Sequence, residues 1–423
     1  MLDIKLVRQQ PELVRQALKN RNYKFDLDDF LKIDVDLRSL IQQIESLRAE
    51  QNKINQEVPL LIKAKQDASA KIEESRQIRK KVDELNVKLA ANQEEWDKRY
   101  QRLPNIPHES LPVGAPSANR VVKEVGNKPQ FSFKPKDHIE LASSLDIIDF
   151  ERGAKLAGSN FVLYKGQGAL LERALINFML QVHTTEHGYK EMWPPVLVNP
   201  DSMFGTGQLP NLEEDMYKLK NDDLYLIPTA EVPLTNIYRE EILDEEVLPH
   251  KITAYSSCFR REAGSYGKDT RGLVRLHQFD KVELVKFVKP EDSYNELELL
   301  LSDACDILDK LKLPYRILLL ATGDISFASS KCYDIELYAP GMDRWLEVSS
   351  CSNFEDFQAR RANIRYRDKK SQKTRFVHTL NGSGVALPRL VIALLENYQQ
   401  EDGTISVPEA LVPYLYGRKK IAK

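Results

Sequence analysis

Residues 259 to 283 read FRREAGSYGKDTRGLVRLHQFDKVE. Two arginines and a glutamate close one apolar run, a glycine-rich turn follows, and a second alternating run returns. The alternation of Cys258, Arg260 and Glu262 predicts one face of a strand, and Arg275, His277, Phe279 and Lys281 are predicted to share a face of the next. Such a hairpin sets guanidinium groups beside an aromatic ring. Arginine offers planar, permanently charged donors to phosphate oxygens, and phenylalanine offers a face on which a purine stacks. A salt-bridged surface hairpin has the same composition, so the neighbouring segments decide between the two.

Around this hairpin, short β-patterned runs (NFVLYKG, DLYLIPT) alternate with helical ones (GALLERALINFMLQVHTTEHG, SYNELELLLSDACDILDKL). The later runs KVELVKFV, YRILLLA and CYDIELYA alternate or are β-rich, with turns in several places too short for crossover helices, which predicts a mainly antiparallel sheet with helices packed on it. At 378–400, HTLNGSGVALPRLVIALLENYQQ reads as a turn, a short strand through Val385 and Leu387, and a helix opened by Arg389. At 188–200, GYKEMWPPVLVNP reads as a helix leading into a proline-bearing strand. Neither G-x-G-x-x-G nor G-x4-G-K-[ST] occurs, so a nucleotide would not be held by a Rossmann or P-loop turn.

The N-terminal part has a different pattern. Leu37, Leu40, Ile44, Leu47, Ile54, Val58 and Leu61 form a 3-4 seam broken by Gln51, and Ile78, Val82, Leu85, Leu89 and Trp96 form a second. KAKQDASAK at 63–71 is the predicted reversal, so the two segments fold back as an antiparallel coiled coil over about residues 37–100. Helices of roughly 30 residues rise about 45 Å, enough for a projecting arm. Pro59 is expected to kink or unwind the first helix near its tip. The mixed charges along both helices are those of a solvated face, but a long helical pair of this kind calls for a partner. The proline-rich stretch at 102–119 marks a boundary, giving an N-terminal helical domain over 1–105 and a second domain over 106–423.

Composition excludes several classes of protein. A net charge of −2 gives no overall basic field, so any RNA contact must be local. No signal-peptide core and no uninterrupted apolar run of membrane-spanning length is present, and the expected location is cytoplasmic with no membrane contact. Cys258, Cys305, Cys332 and Cys351 are widely spaced, which predicts buried reduced thiols rather than disulfides or zinc ligands.

Four stretches then specify a family. TAEVPLTN (229–236), the hairpin at 259–283, EVSSCSNFEDFQARR (347–361) and HTLNGSG (378–384) resemble the bacterial-type seryl-tRNA synthetases, which are class II aminoacyl-tRNA synthetases. The resemblance covers essentially the whole chain and includes the helical arm. It implies an α+β fold with a long N-terminal antiparallel coiled-coil hairpin and an antiparallel class II catalytic sheet with flanking helices. It also implies an ATP-dependent ligase that makes seryl-adenylate, releases pyrophosphate and passes serine to tRNA(Ser), with tRNA(Sec) as a further acceptor. The implied partners are L-serine, ATP, Mg2+ but no zinc, tRNA held by the arm, and a second copy of the chain paired near Pro195.

Carried over by position, the resemblance implies that Arg260 and Arg389 are catalytic. It places serine on Thr229, Ala230, Glu231, Arg260, Glu283 and Ser383, and ATP on Arg260, Arg261, Glu262, Arg275, Phe279, Glu347, Val348, Ser349, Ser350 and Arg389. Glu347 and Ser350 are the implied Mg2+ pair, in keeping with the preference of that ion for oxygen donors. Read as isolated residues, Glu231 and Glu283 are salt-bridge partners for nearby arginines, Ser350 is a turn residue and His277 is a structural hydrogen-bonder. Thr206 and Gln208 are assigned to a mobile loop near the pocket rather than to the catalytic set. Pro388 stands where the resemblance leads one to expect glycine, yet its φ suits the start of a helix. A class II-like ligase acting on a carrier protein is the alternative; the long arm and the lack of cysteine ligands count against it, and an inert coiled-coil protein would not keep these polar positions intact.

Overall fold

A computed structural model describes residues 1–263 and 271–423. The glycine-rich turn of the hairpin, 264–270, therefore lies outside the described residues. The chain forms two compact units, one of Asp3–Leu18 with Lys24–Leu103, the other of Met1–Leu2, Lys19–Tyr23 and Pro104–Lys423.

In the first unit, α1 (Ile4–Gln9) and α2 (Pro11–Asn20) precede two long helices, α3 (Leu27–Lys63) and α4 (Ser69–Tyr100). Helix α3 starts ten residues before the seam because Asp26 caps it, accepting from the Asp29 amide at 3.0 Å. Ile44, Ile54, Ile78, Val82 and Leu85 are buried between the helices, flanked by Leu40, Leu47, Val58 and Leu89. Gln51, the polar break in the seam, is satisfied across the hairpin: its Nε2 donates to the Ser75 carbonyl at 3.2 Å. The expected unwinding at Pro59 does not occur. The helix continues through it to Lys63, with the proline exposed to solvent. Trp96 departs from the seam as well; it packs on Phe30 and Tyr100, and its Nε1 donates to the buried Asp34 carboxylate at 3.0 Å.

The second unit is built on an eight-stranded sheet. Its strands are β1 (Arg120–Val125), β2 (Lys190–Glu191), β3 (His250–Phe259), β4 (Gln278–Val288), β5 (Tyr315–Leu319), β6 (Lys331–Ala339), β7 (Arg344–Asn353) and β8 (His378–Ala386). Their order is β1-β5-β6-β7-β8-β4-β3-β2, and every pairing but that of β2 with β3 is antiparallel. Helices α5 (His138–Ser144), α6 (Phe150–Ala157), α7 (Gln167–Thr185), α8 (Pro200–Thr206), α9 (Glu231–Asn236), α10 (Ser293–Lys310), α11 (Phe357–Ala362) and α12 (Leu387–Asn397) complete the unit. Val282 and Leu284 of β4 belong to the main core, together with Leu175 of α7, Leu300 of α10 and Leu394 of α12.

Several expected boundaries shift. Strand β3 ends at Phe259, so Arg260 and Glu262 lie beyond it, and Glu262 has φ +51°. Arg275 and His277 precede β4, which opens at Gln278. The segment 378–386 is one continuous strand rather than a turn and a short strand, because both of its edges are paired, to β7 and to β4. The proline-bearing strand at 188–200 reduces to Lys190–Glu191 and Leu197–Val198, with Pro194 and Pro195 outside both. NFVLYKG and DLYLIPT contribute only Leu163–Tyr164 and Tyr225–Leu226. All four cysteines are buried and free.

Candidate active site

The segments that flank 264–270 remain paired after the strands end. The Arg260 amide donates to the His277 carbonyl at 2.9 Å, and His277 Nδ1 lies 2.9 Å from the Arg260 carbonyl. This pair keeps Arg260 over the sheet, its guanidinium 5.2 Å above the Phe279 ring. It also turns His277 to a backbone contact rather than into the cleft. Arg260, Glu262, Arg275, Phe279 and Glu283 line one cleft of about 410 Å³ with Thr229, Glu231, Glu347, Val348, Ser349, Ser350, Ser383 and Arg389. Two of the expected residues do not line it. Ala230 is fully buried in the core around α9, and exposed Arg261 is tied through its amide to the Asp215 carbonyl at 2.9 Å.

Two β-bulges aim the side chains. Opposite Glu336 stands Glu347, but opposite Ile335 stands Ser349, so Val348 is the extra residue of β7. Positions three apart on a regular strand face opposite sides; the extra residue restores Glu347 and Ser350 to one side, and Ser350 Oγ lies 3.3 Å from Glu347 Oε1. On β8 the register shifts at Gly384, between Ser383 opposite Glu283 and Val385 opposite Val282. Ser383 thereby stays directly across from Glu283, while Ala386 and Pro388 also reach the cleft wall.

The floor of the cleft is acidic and polar. Glu231, the first residue of α9, accepts from Gln358 Nε2 at 2.7 Å. Burial, and next the like charge of Glu283, push its carboxyl up to about 7, against the opposing effects of Gln358, Lys281 and Asn381. Thr229 Oγ1 donates to Glu283 Oε2 at 3.2 Å. The rim is basic. Arg389, in the first turn of α12, donates through NH1 to the Glu347 carbonyl at 2.7 Å and through Nε to the Val274 carbonyl at 3.3 Å. Arg275 is paired with Glu262 at 2.7 Å, so these two expected ATP residues engage one another within the cleft.

At one end Ser350 Oγ donates to Asp334 Oδ1 at 2.6 Å, and burial together with the neighbouring Glu347 pushes the Asp334 carboxyl up. Two carboxylates and a hydroxyl lie close together there, an oxygen-rich donor set whose chemistry suits a divalent cation.

An acidic floor for an amino acid, a basic rim for phosphates and an antiparallel platform are the combination expected of a class II synthetase core. A model of the seryl-tRNA synthetase N-terminal domain matches residues 1–107, and one of the tRNA synthetase class II core domain (G, H, P, S and T) matches residues 216–398. Serine–tRNA ligases of Carboxydothermus hydrogenoformans and Geotalea uraniireducens are each 54% identical, over 98% of both chains for the first and 100% of both for the second. The chain belongs to the seryl-tRNA synthetase family. A crystal structure of seryl-tRNA synthetase from Pyrococcus horikoshii, complexed with ATP, superposes with a TM-score of 0.93 at 38% identity, covering 100% of this chain and 99% of that one.

The sequence leaves several cleft residues outside the expected site. Thr206 and Gln208 line it, but Thr206 is buried in α8 rather than in a loop. Lys281 and Asn381 are on the floor, and Phe327 is on the wall. The strand period already sets Lys281 on the predicted face of Arg275 and Phe279 without giving it a role, and the same period, i−2 from Ser383, is the signal that could have found Asn381. Nothing local marks Phe327, whose place comes from its contacts with Tyr23 and Phe357.

Proposed function

We propose that this chain activates L-serine with ATP, releasing pyrophosphate, and transfers the seryl group from the adenylate to the terminal ribose of tRNA(Ser). The observation that carries the reading is the opposition, within one cleft, of a buried carboxylate floor and an arginine rim. Glu231 and Thr229 take the serine ammonium, while Glu283 and Ser383, opposite each other on paired strands, read its hydroxyl. A floor whose polar groups need that hydroxyl discriminates against alanine by about 10⁴-fold, because alanine leaves them unpaired.

A serine carboxylate oxygen forms the new bond to the α-phosphorus while the bond to the pyrophosphate oxygen breaks. Arg260 neutralises charge at that phosphate, and Arg275 and Arg389 hold the remaining phosphates once ATP draws Arg275 from Glu262. Phe279 stacks on the adenine. In the second step a ribose hydroxyl oxygen bonds to the seryl carbonyl carbon, loses its proton, and AMP departs with the electrons of the acyl–phosphate bond. No side-chain nucleophile is needed, so the acceleration comes from alignment and charge compensation. Glu347 and Ser350 would hold Mg2+, which when bound screens the triphosphate charge.

The coiled coil of α3 and α4 supplies the tRNA contact through shape and backbone. A homodimer forms through the apolar hollow of Trp193, Pro194, Pro195, Leu197 and Ile237, where Trp193 is 80% exposed; a single-chain mass in solution would remove it. No helix among the described residues is long and apolar enough to cross a membrane. The test of the main reading is ATP–pyrophosphate exchange with each of the twenty amino acids. Serine alone should support it, and exchange with a different amino acid, or none with serine, would overturn the assignment.

A further inference from the structure

Lys281 lies in the cleft, and the reaction as described gives it no task. It precedes Glu283 by two residues on β4, so both side chains leave the same face of the strand. Both are withdrawn from solvent, 8% and 2% exposed at the side chain, and Lys281 Nζ sits 2.5 Å from Glu283 Oε2. Thr229 donates to that same oxygen at 3.2 Å. Among the described residues, Oε1 is thus the oxygen of Glu283 left for a ligand. A lysine is seldom buried to this degree unless its charge is matched, and here the match is a residue already assigned to substrate reading.

The charges on the floor have a consequence for the ligand. Glu231 and Glu283 bring two carboxylates, and a bound amino acid brings one ammonium. Were Lys281 absent, the remaining negative charge would be met in one of two ways. Glu283 could take a proton, which converts an acceptor into a donor, or the ligand could supply a second cation. With Lys281 present the floor and the ammonium balance, and the remaining ligand group must be neutral and able to donate a hydrogen bond.

Resting on the serine reading above, we propose that Lys281 is a positioning residue that sets side-chain specificity: by engaging Oε2 it holds Glu283 as an ionised acceptor whose Oε1 takes a hydroxyl, and it excludes amino acids bearing a cation there. The other charged groups around the floor fit this role. Arg260 donates to the Pro228 carbonyl and lies over Phe279, so it does not compensate Glu283 in place of the lysine, and Glu231, held by Gln358, adds a like charge rather than an opposite one.

The test compares wild type, Lys281→Met and Lys281→Arg in ATP–pyrophosphate exchange with serine and with 2,3-diaminopropionate, which carries an amine in place of the serine hydroxyl. Lys281→Met should lower kcat/KM for serine about 10-fold or more, mainly through KM, with KM for ATP within about twofold of wild type. In the same variant the preference for 2,3-diaminopropionate over serine should rise about 10-fold or more, and Lys281→Arg should restore serine use to within about threefold. A substrate preference that does not move in Lys281→Met overturns the proposal, whether serine activity is kept or lost. So does a parallel loss for serine, 2,3-diaminopropionate and ATP, which would make the lysine a folding element only. Failure of the wild type to exchange with serine is a separate result and would sink the functional reading instead.

Discussion

Glu231 is the residue whose chemistry is most exposed to measurement. Burial first, and Glu283 second, lift its carboxyl to about 7, so in the free protein it keeps its proton up to near neutrality. An ammonium pairs with the carboxylate rather than the acid, and each serine bound below that pKa must displace a proton. Serine affinity therefore rises with pH: KM for serine is expected to fall several-fold between about pH 6 and about pH 8, with KM for ATP changing little. Glu231→Gln should show a raised and nearly flat serine KM over that range in pyrophosphate exchange. A wild-type profile that is flat, or that climbs with pH, would remove Glu231 from the ammonium site. The residue types here were legible from the sequence, as were most of the cleft side chains. The state of Glu231 was not, because it follows from how closely Gln358 and Glu283, remote in sequence, enclose it.

Among the elements, the bulges in β7 and β8 do most to aim the chemistry. The bulge at Gly384 lies against α7: His183 Nε2 is 3.1 Å from the Gly384 carbonyl, and a Cβ built on Gly384 would come within 2.5 Å of that same nitrogen. Burial lowers the His183 pKa to about 4, so the ring is neutral there and tightly packed. Gly384→Ala must push the ring or the strand away, and it is expected to destabilise the protein by about 1–3 kcal/mol. Ser383 moves with the strand, so the same variant should raise serine KM more than ATP KM; urea denaturation and exchange kinetics test the two parts. Unchanged stability would mean that the bulge is softer than its packing implies. The sequence HTLNGSG gave the residues but not the strand. Its glycines and asparagine have the composition of a turn, and only pairing on both edges makes the segment extended.

For the whole molecule, the two units invite separation of two activities. Phe30, Asp34, Trp96 and Tyr100 form an aromatic and polar cluster at the open end of the α3–α4 hairpin, and the seam from Ile44 to Leu89 lies beyond it. Replacing residues 44–89 with a short turn keeps that cluster. Serine-dependent pyrophosphate exchange should stay close to wild type, while charging of tRNA(Ser) falls by about 100-fold or more. Equal loss of both activities would contradict the assignment of the arm to tRNA.

What the sequence by itself determined is periodic or categorical: the heptad seams, the antiparallel succession of strands, the free cysteines, and the residue types that mark a seryl-tRNA synthetase. These are legible because helix and strand periods, and the chemistry of arginine, glutamate and serine, are local properties of the chain. Tertiary structure alone decided where β3 ends, that Val348 and Gly384 bulge, that Arg275 meets Glu262, and that Lys281 is matched to Glu283. Each depends on which strands pair and how deeply a group is buried. A charge has no fixed partner until the sheet brings one within reach, and its protonation follows from the water it has lost.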